Sequence, residues 1–202
     1  MELQAWLNLF IDQIKDTSIL QWIAVSFGVT EVLLAKKNNI LLYPAGIISS
    51  ALSIFLLVEA LLYAEAALST YYVIMSIYGW IHWVRRKNEP PVKITYASRK
   101  DWIITAVISF GGWGFLYFIL KTYTDSDVPA IDAWISSTAW AGMWLLARRK
   151  IENWILLNVS NLFAIPLLFH KDLALFSLLT IFLFIVACFG YFDWKRKIET
   201  EH

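Results

Sequence analysis

Within an apolar stretch, Trp154, Asn158 and Asn161 follow one another at intervals of four and three residues. On a helix that spacing sets one indole and two carboxamides on a common face. An indole offers a flat surface for stacking, and a carboxamide offers both donors and an acceptor. Together they could grip a flat heterocycle by its face and its polar edge. The competing use of such amides is to bond a neighbouring helix. Two other stripes carry comparable groups. Ser69, Tyr72, Ser76, Trp80 and Trp83 recur at helical spacing, as do Asp132, Ser136, Trp140 and Trp144. Trp83 and Trp194 lie at the ends of apolar runs and read as interfacial anchors, whereas Trp140, nearer the middle of its run, reads as a ligand group. Asp132 could draw in a cation or cap a helix N-terminus. Glu31 lies within about two turns of Lys36 and reads as a local ion pair or a snorkelling acid.

Other chemistries lack residues to carry them. There is no HExxH, GxSxG or glycine-rich phosphate loop, and His82, His170 and His202 lie at or beyond the ends of apolar runs. The lone cysteine, Cys188, excludes an intrachain disulfide and a cysteine-rich metal site. No catalytic set, metal site or cofactor is therefore expected. A net charge of +1 provides no global basic field for nucleic acid.

The elements that must position these groups follow from composition. Of the residues, 59% are hydrophobic and only 16% charged, the balance of a polytopic, all-α membrane protein. Seven stretches approach the roughly 17–25 apolar residues that a bilayer core requires: 18–35, 40–61, 66–84, 102–121, 130–147, 153–169 and 173–193. A very short turn near Tyr63 to Glu65 is expected between the second and third. Residues 1–17 carry Leu3, Trp6, Leu7, Phe10, Ile11 and Ile14 at helical spacing and predict an amphipathic helix on the membrane surface, not a signal peptide. Basic residues gather after the odd-numbered stretches: Lys36 and Lys37, the 85–101 linker, Arg148 to Lys150, and the tail 195–202. Since cytoplasmic flanks collect Lys and Arg, the N-terminus is expected outside and the C-terminus in the cytoplasm.

The chain also repeats itself. "YGWIHWVRRK" at Tyr78–Lys87 is echoed by "FGYFDWKRK" at Phe189–Lys197, and "LLAKKNNILLYPAG" by "LLARRKIENWILLNVS", with two residues extra in the second. General belt and flank rules would produce some likeness between any two such helices. Two matches in the same order instead predict a 3+1+3 parallel repeat, 18–84 and 130–194, with the connecting helix 102–121 between them. This alignment sets Ile40, Pro44 and Ile47 opposite Trp154, Asn158 and Asn161. Pro44 and Pro166 are not equivalent, so they do not make a symmetric pair of hinges.

"LYAEAALSTYYVIMSIYGWIHW" and "RRKIENWILLNVSN" resemble the PnuC family of bacterial vitamin transporters. The matching positions are Tyr78-Gly79-Trp80 with Trp83, Glu152-Asn153-Trp154 with Asn161, Gly190 with Trp194, and Asp132. The resemblance implies a SWEET-like fold in the bacterial inner membrane, a homotrimer, and import of nicotinamide riboside or thiamine by facilitated diffusion. It also implies trapping of the vitamin through phosphorylation by a cytoplasmic kinase. Ser69 and Ser76 stand where nicotinamide riboside members often carry amides, and Phe189 where some carry asparagine; Tyr71-Tyr72 and "FGYFDW" are more similar to thiamine-type relatives. Riboflavin or proton-coupled transport through Glu31 or Asp132, and a sensor or assembly role without transport, are the alternatives.

Overall fold

A computed structural model of the chain describes residues 3–59, 63–84, 93–124, 126–171 and 173–200. Among these residues the fold is all helical: α1 (Leu3–Asp16), α2 (Ile19–Lys36), α3 (Leu42–Glu59), α4 (Tyr63–Val84), α5 (Arg99–Ala106), α6 (Gly112–Tyr123), α7 (Pro129–Ala147), α8 (Asn153–His170) and α9 (Ala174–Thr200). A π-helical turn, Val107–Gly111, joins α5 and α6 into one continuous rod. Such turns insert a residue without ending the helix.

Local signals set the boundaries. Ser18 and Gln21 form a capping box at the start of α2, and Ser98 and Asp101 another at the start of α5. Pro129 opens α7, where its missing N–H costs nothing. Past the ends of α2 and α7 the chain turns through positive φ, 58° at Asn38 and 54° at Arg149. Three expectations shift. Tyr63 to Glu65 are already helical, and the connection before them lies outside the described residues. The rod Arg99–Tyr123 is longer than the stretch 102–121. The tail is not separate, because α9 stays helical to Thr200.

Five helices among the described residues are long and apolar enough to cross a membrane: Ile19–Lys36, Leu42–Glu59, Arg99–Tyr123, Asn153–His170 and Phe176–Thr200. Helices α4 and α7, of 22 and 19 residues, have the length but carry more Ser, Thr, Tyr and Trp. In α7 the reason is visible. Ala133, Ser137, Thr138, Ala141, Gly142 and Leu145 to Ala147 are all buried, so the helix meets other helices over much of its surface.

Packing follows the repeat. Helix α3 packs on α2 and α4, and α8 packs on α7 and α9 in the same way. The two triplets then meet twice, α2 against α9 and α4 against α7, while α6 leans on α7. The main core lies at the end bearing the basic flanks and joins both triplets: Ala35, Leu42, Tyr43 and Trp83 from the first, Leu146, Trp154, Ala187 and Trp194 from the second. Helix α1 exposes Leu7, Ile11 and Ile14, while its Phe10 lines an apolar cavity of 280 Å³ with Trp22 of α2 and Phe176 of α9.

Candidate functional site

The repeated glycine and tryptophan occupy matching places. Gly79 of α4 lets the Tyr43 ring of α3 lie against its backbone; a Cβ there would stand 2.7 Å from the hydroxyl. Gly190 of α9 does the same for Trp154 of α8, where a Cβ would stand 2.8 Å from the indole. Tyr43 meets Trp83 edge-on at 5.0 Å, and Trp154 meets Trp194 edge-on at 5.6 Å. Edge-to-face contact is the favoured geometry for such pairs. Each tryptophan then crosses to the other triplet. Trp83 Nε1–H donates to the Ala147 carbonyl at 3.3 Å, and Trp194 Nε1–H to the Ala35 carbonyl at 3.0 Å.

This geometry corrects the sequence alignment. Tyr43, not Ile40, is the counterpart of Trp154, and the turns 37–41 and 148–152 are of equal length. The same register sets Ile47 and Ser50 opposite Asn158 and Asn161. It also gives Trp83 and Trp194 a structural duty beyond interfacial anchoring, since both are buried.

A second cluster secures the same end. The described part of the linker pairs with the α7–α8 turn: Thr95 N–H donates to the Arg149 carbonyl and Ile151 N–H to the Thr95 carbonyl, both at 3.1 Å. Glu152 accepts the Ala97 N–H on both carboxylate oxygens, at 2.9 and 3.0 Å. Asp101, buried, takes Arg148 at 3.2 Å and Lys150 at 3.5 Å. The Arg149 guanidinium lies over Trp83 at 3.5 Å. Charged pairs with this much burial and hydrogen bonding hold geometry more firmly than surface pairs do.

The predicted site residues divide among several places. Trp154 is 1% exposed and covered by Gly190 and Trp194, so its ring faces are occupied by the protein in this conformation. One turn on, Asn158 Nδ2–H donates to Cys188 Sγ of α9 at 3.3 Å, and its carbonyl oxygen is buried without a partner. Asn161 is half-buried one turn further. Trp140 packs on Tyr71, ring centroids 4.7 Å apart, and takes the Tyr71 hydroxyl on its own carbonyl at 3.1 Å. With Tyr78 stacked on Trp144 at 5.9 Å it builds an aromatic seam between α4 and α7. Trp80 is 40% exposed.

On α4, Tyr72 and Ser76 share a face with Gly79 and Trp83. Ser76 is 1% exposed and its hydroxyl has no partner, as is true of the Tyr43 hydroxyl. Ser69 is half-buried on the same helix. Asp132 does not cap α7; it accepts from Ser126 and pairs with Lys171 at 3.1 Å. Glu31 was the residue that sequence reading misplaced. Lys36 pairs with Asp193 at 3.6 Å and lies over Phe189 at 5.1 Å, leaving the Glu31 carboxylate against Gly46 of α3.

Comparison with known proteins gives this arrangement its relatives. A family model described as nicotinamide mononucleotide transporter matches residues 18–196. The nicotinamide riboside transporter PnuC of Escherichia coli (strain K12) is 23% identical over 205 residues, covering 89% of this chain and 86% of that protein. The protein of the same name from Shigella flexneri matches equally. A crystal structure of the vitamin B3 transporter PnuC has the same fold, with a TM-score of 0.73 at 21% identity over 99% of this chain and 91% of that one. The chain therefore belongs to the nicotinamide mononucleotide transporter family, multi-pass proteins of the inner membrane that carry solutes and are not enzymes.

Proposed function

We propose that this protein imports a cationic B-vitamin, nicotinamide riboside or thiamine, by facilitated diffusion. The observation that carries this reading is the sign of the interior. Apart from Lys121 at a helix end, no Lys or Arg falls inside the seven apolar stretches, while Glu31 does. A phosphorylated nucleotide would find no basic partner there, and leaving a phosphate unpaired in a low-dielectric interior is costly. An uncharged or cationic ring with a polar edge suits the amides of α8 and the hydroxyls of α4. The relatives named for nicotinamide riboside support the same class.

In this reading α4 and α7 complete seven spans in a 3+1+3 parallel arrangement, N-terminus outside and C-terminus in the cytoplasm, with α1 on the outer surface. Asn158, Asn161, Ser69, Tyr72 and Ser76 contact substrate, and Trp154 closes the site from the cytoplasmic side. Trp80, Trp140 and Asp132 border the path. The two triplets rock against each other to alternate access. A homotrimer and trapping by a cytoplasmic vitamin kinase complete the proposal.

Uptake into proteoliposomes, with labelled nicotinamide riboside, thiamine and nicotinamide mononucleotide compared, tests it. Entry of either vitamin and exclusion of the mononucleotide is the expected result. Uptake of none of the three would favour a sensor or assembly role. Uptake that follows an imposed pH gradient would replace facilitated diffusion with proton coupling.

A further inference from the structure

Among the described residues, Glu31 of α2 is a half-buried acid whose packing the fold explains only in part. Its carboxylate occupies the space a side chain at position 46 would need; a Cβ on Gly46 would stand 2.6 Å from the carboxyl carbon. Tyr43 lies three residues before Gly46 on α3, on the same face of that helix. The buried, unpartnered hydroxyls of Tyr43 and Ser76 line the same triplet. No described basic side chain forms an ion pair with it, because Lys36 is held by Asp193 and Phe189.

The second triplet shows what packing alone would require. The register that equates Tyr43 with Trp154 equates Glu31 with Gly142 and Gly46 with Leu157. There the glycine is on the first helix and an apolar side chain fills the gap from the second: a Cβ on Gly142 would stand 2.9 Å from the Leu157 side chain. The same crossing is thus filled once by leucine and once by a carboxylate. A leucine needs no partner, whereas an ionised carboxylate in such a place needs a cation or donors. The asymmetry continues along α4, where Tyr72 and Ser76 stand opposite Leu183 and Ala187 of α9.

We propose that Glu31 is the counter-charge for the positively charged ring of the substrate, and that Tyr72 and Ser76 serve the polar groups beside that ring. Selectivity for a cation then resides in the first triplet, and hydrogen-bond recognition in the amides of the second. This inference rests on the transport reading and adds the residue that discriminates by charge.

The test compares two ligands of nearly equal shape, nicotinamide riboside and its reduced, uncharged dihydro form, by calorimetry on the purified full-length protein. Thiamine is measured alongside as a second cation. Glu31→Gln should weaken binding of the cations at least about tenfold, roughly 1.4 kcal/mol, and leave the uncharged form within about twofold. Glu31→Asp, which keeps the charge, should retain most of the cation affinity. Gly46→Ala, which keeps the carboxylate but pushes it off α3, should also weaken the cations more than the uncharged form. This variant serves if Glu31→Gln does not fold. Equal loss for charged and uncharged ligands would make Glu31 a packing residue and overturn the proposal. Unchanged cation affinity in Glu31→Gln would overturn it too, while leaving the transport reading intact. A wild-type protein that binds neither cation would overturn both.

Discussion

Trp194 in the last helix donates its indole N–H to the carbonyl of Ala35 in the first helix of the opposite triplet, at 3.0 Å. Both residues are buried, and the Ala35 carbonyl also accepts the Asn38 N–H at 2.9 Å, so losing the indole donor removes one net hydrogen bond, about 0.5–1.5 kcal/mol. Trp194→Phe keeps an aromatic ring and removes only the donor. It should lower thermal stability by about that amount and speed exchange between inward-open and inward-closed forms. Labelling of single cysteines placed along the α2–α9 contact would report the change; an unaltered labelling rate would argue against a gating role for the bond.

The amide face of α8 can be followed through the chain's lone cysteine. Asn158→Ala removes the donor to Cys188 Sγ. Thiol labelling at Cys188 should become faster, and saturating vitamin should no longer change its rate. Asn161→Ala should weaken vitamin binding about tenfold, roughly 1.4 kcal/mol, as read by tryptophan fluorescence quenching or calorimetry. If both variants bind like the wild type, the amides belong to helix packing.

Glycine substitutions separate close approach from mere helix content. Gly79→Ala and Gly190→Ala would drive a methyl into Tyr43 and Trp154, and each should destabilise by about 1–3 kcal/mol. Gly114→Ala meets nothing within 4 Å and should be neutral or stabilise by up to about 1 kcal/mol. Thermal midpoints of the three variants, measured in one detergent, check the order.

The strap formed by residues 93–98 is held by Glu152 beside its backbone bonds to the α7–α8 turn. Glu152→Gln would replace charge-assisted bonds to the Ala97 N–H with at most one neutral bond. Amide hydrogen exchange at residues 94–97 should accelerate by about an order of magnitude, with helices α7 and α8 little changed. Uniform acceleration along the chain would instead mean a global loss of stability.

How much of this was legible in the sequence can be judged from particular residues. The Gly79-to-Trp83 and Gly190-to-Trp194 spacing announced the repeat, because a helix sets both residues of each pair on one face and the fold uses them identically. The register between α3 and α8 was not legible. Leu42 and Leu156 belong to similar apolar runs, and such runs slide past one another without changing composition; Tyr43 and Trp154 share a role but not a residue type. Glu31 was misread for a different reason. Lys36 is near in sequence, but Asp193, far away in sequence, captures it. Asp132 was left between two uses, and Lys171 together with Ser126 decided its surroundings. Ion pairs between helices are set by docking, which a single chain of letters does not display.

The crosswise indole bonds carry one more consequence. Each triplet contributes the donor at one junction and the acceptor at the other, so an approximate two-fold axis that superposes one triplet on the other exchanges the two bonds. Tilting the triplets about that axis stretches both together. Under the proposed rocking of the triplets, the end of the bundle that bears the basic flanks would act as a single toggle with two matching catches, and a half-open state would gain nothing from releasing one alone.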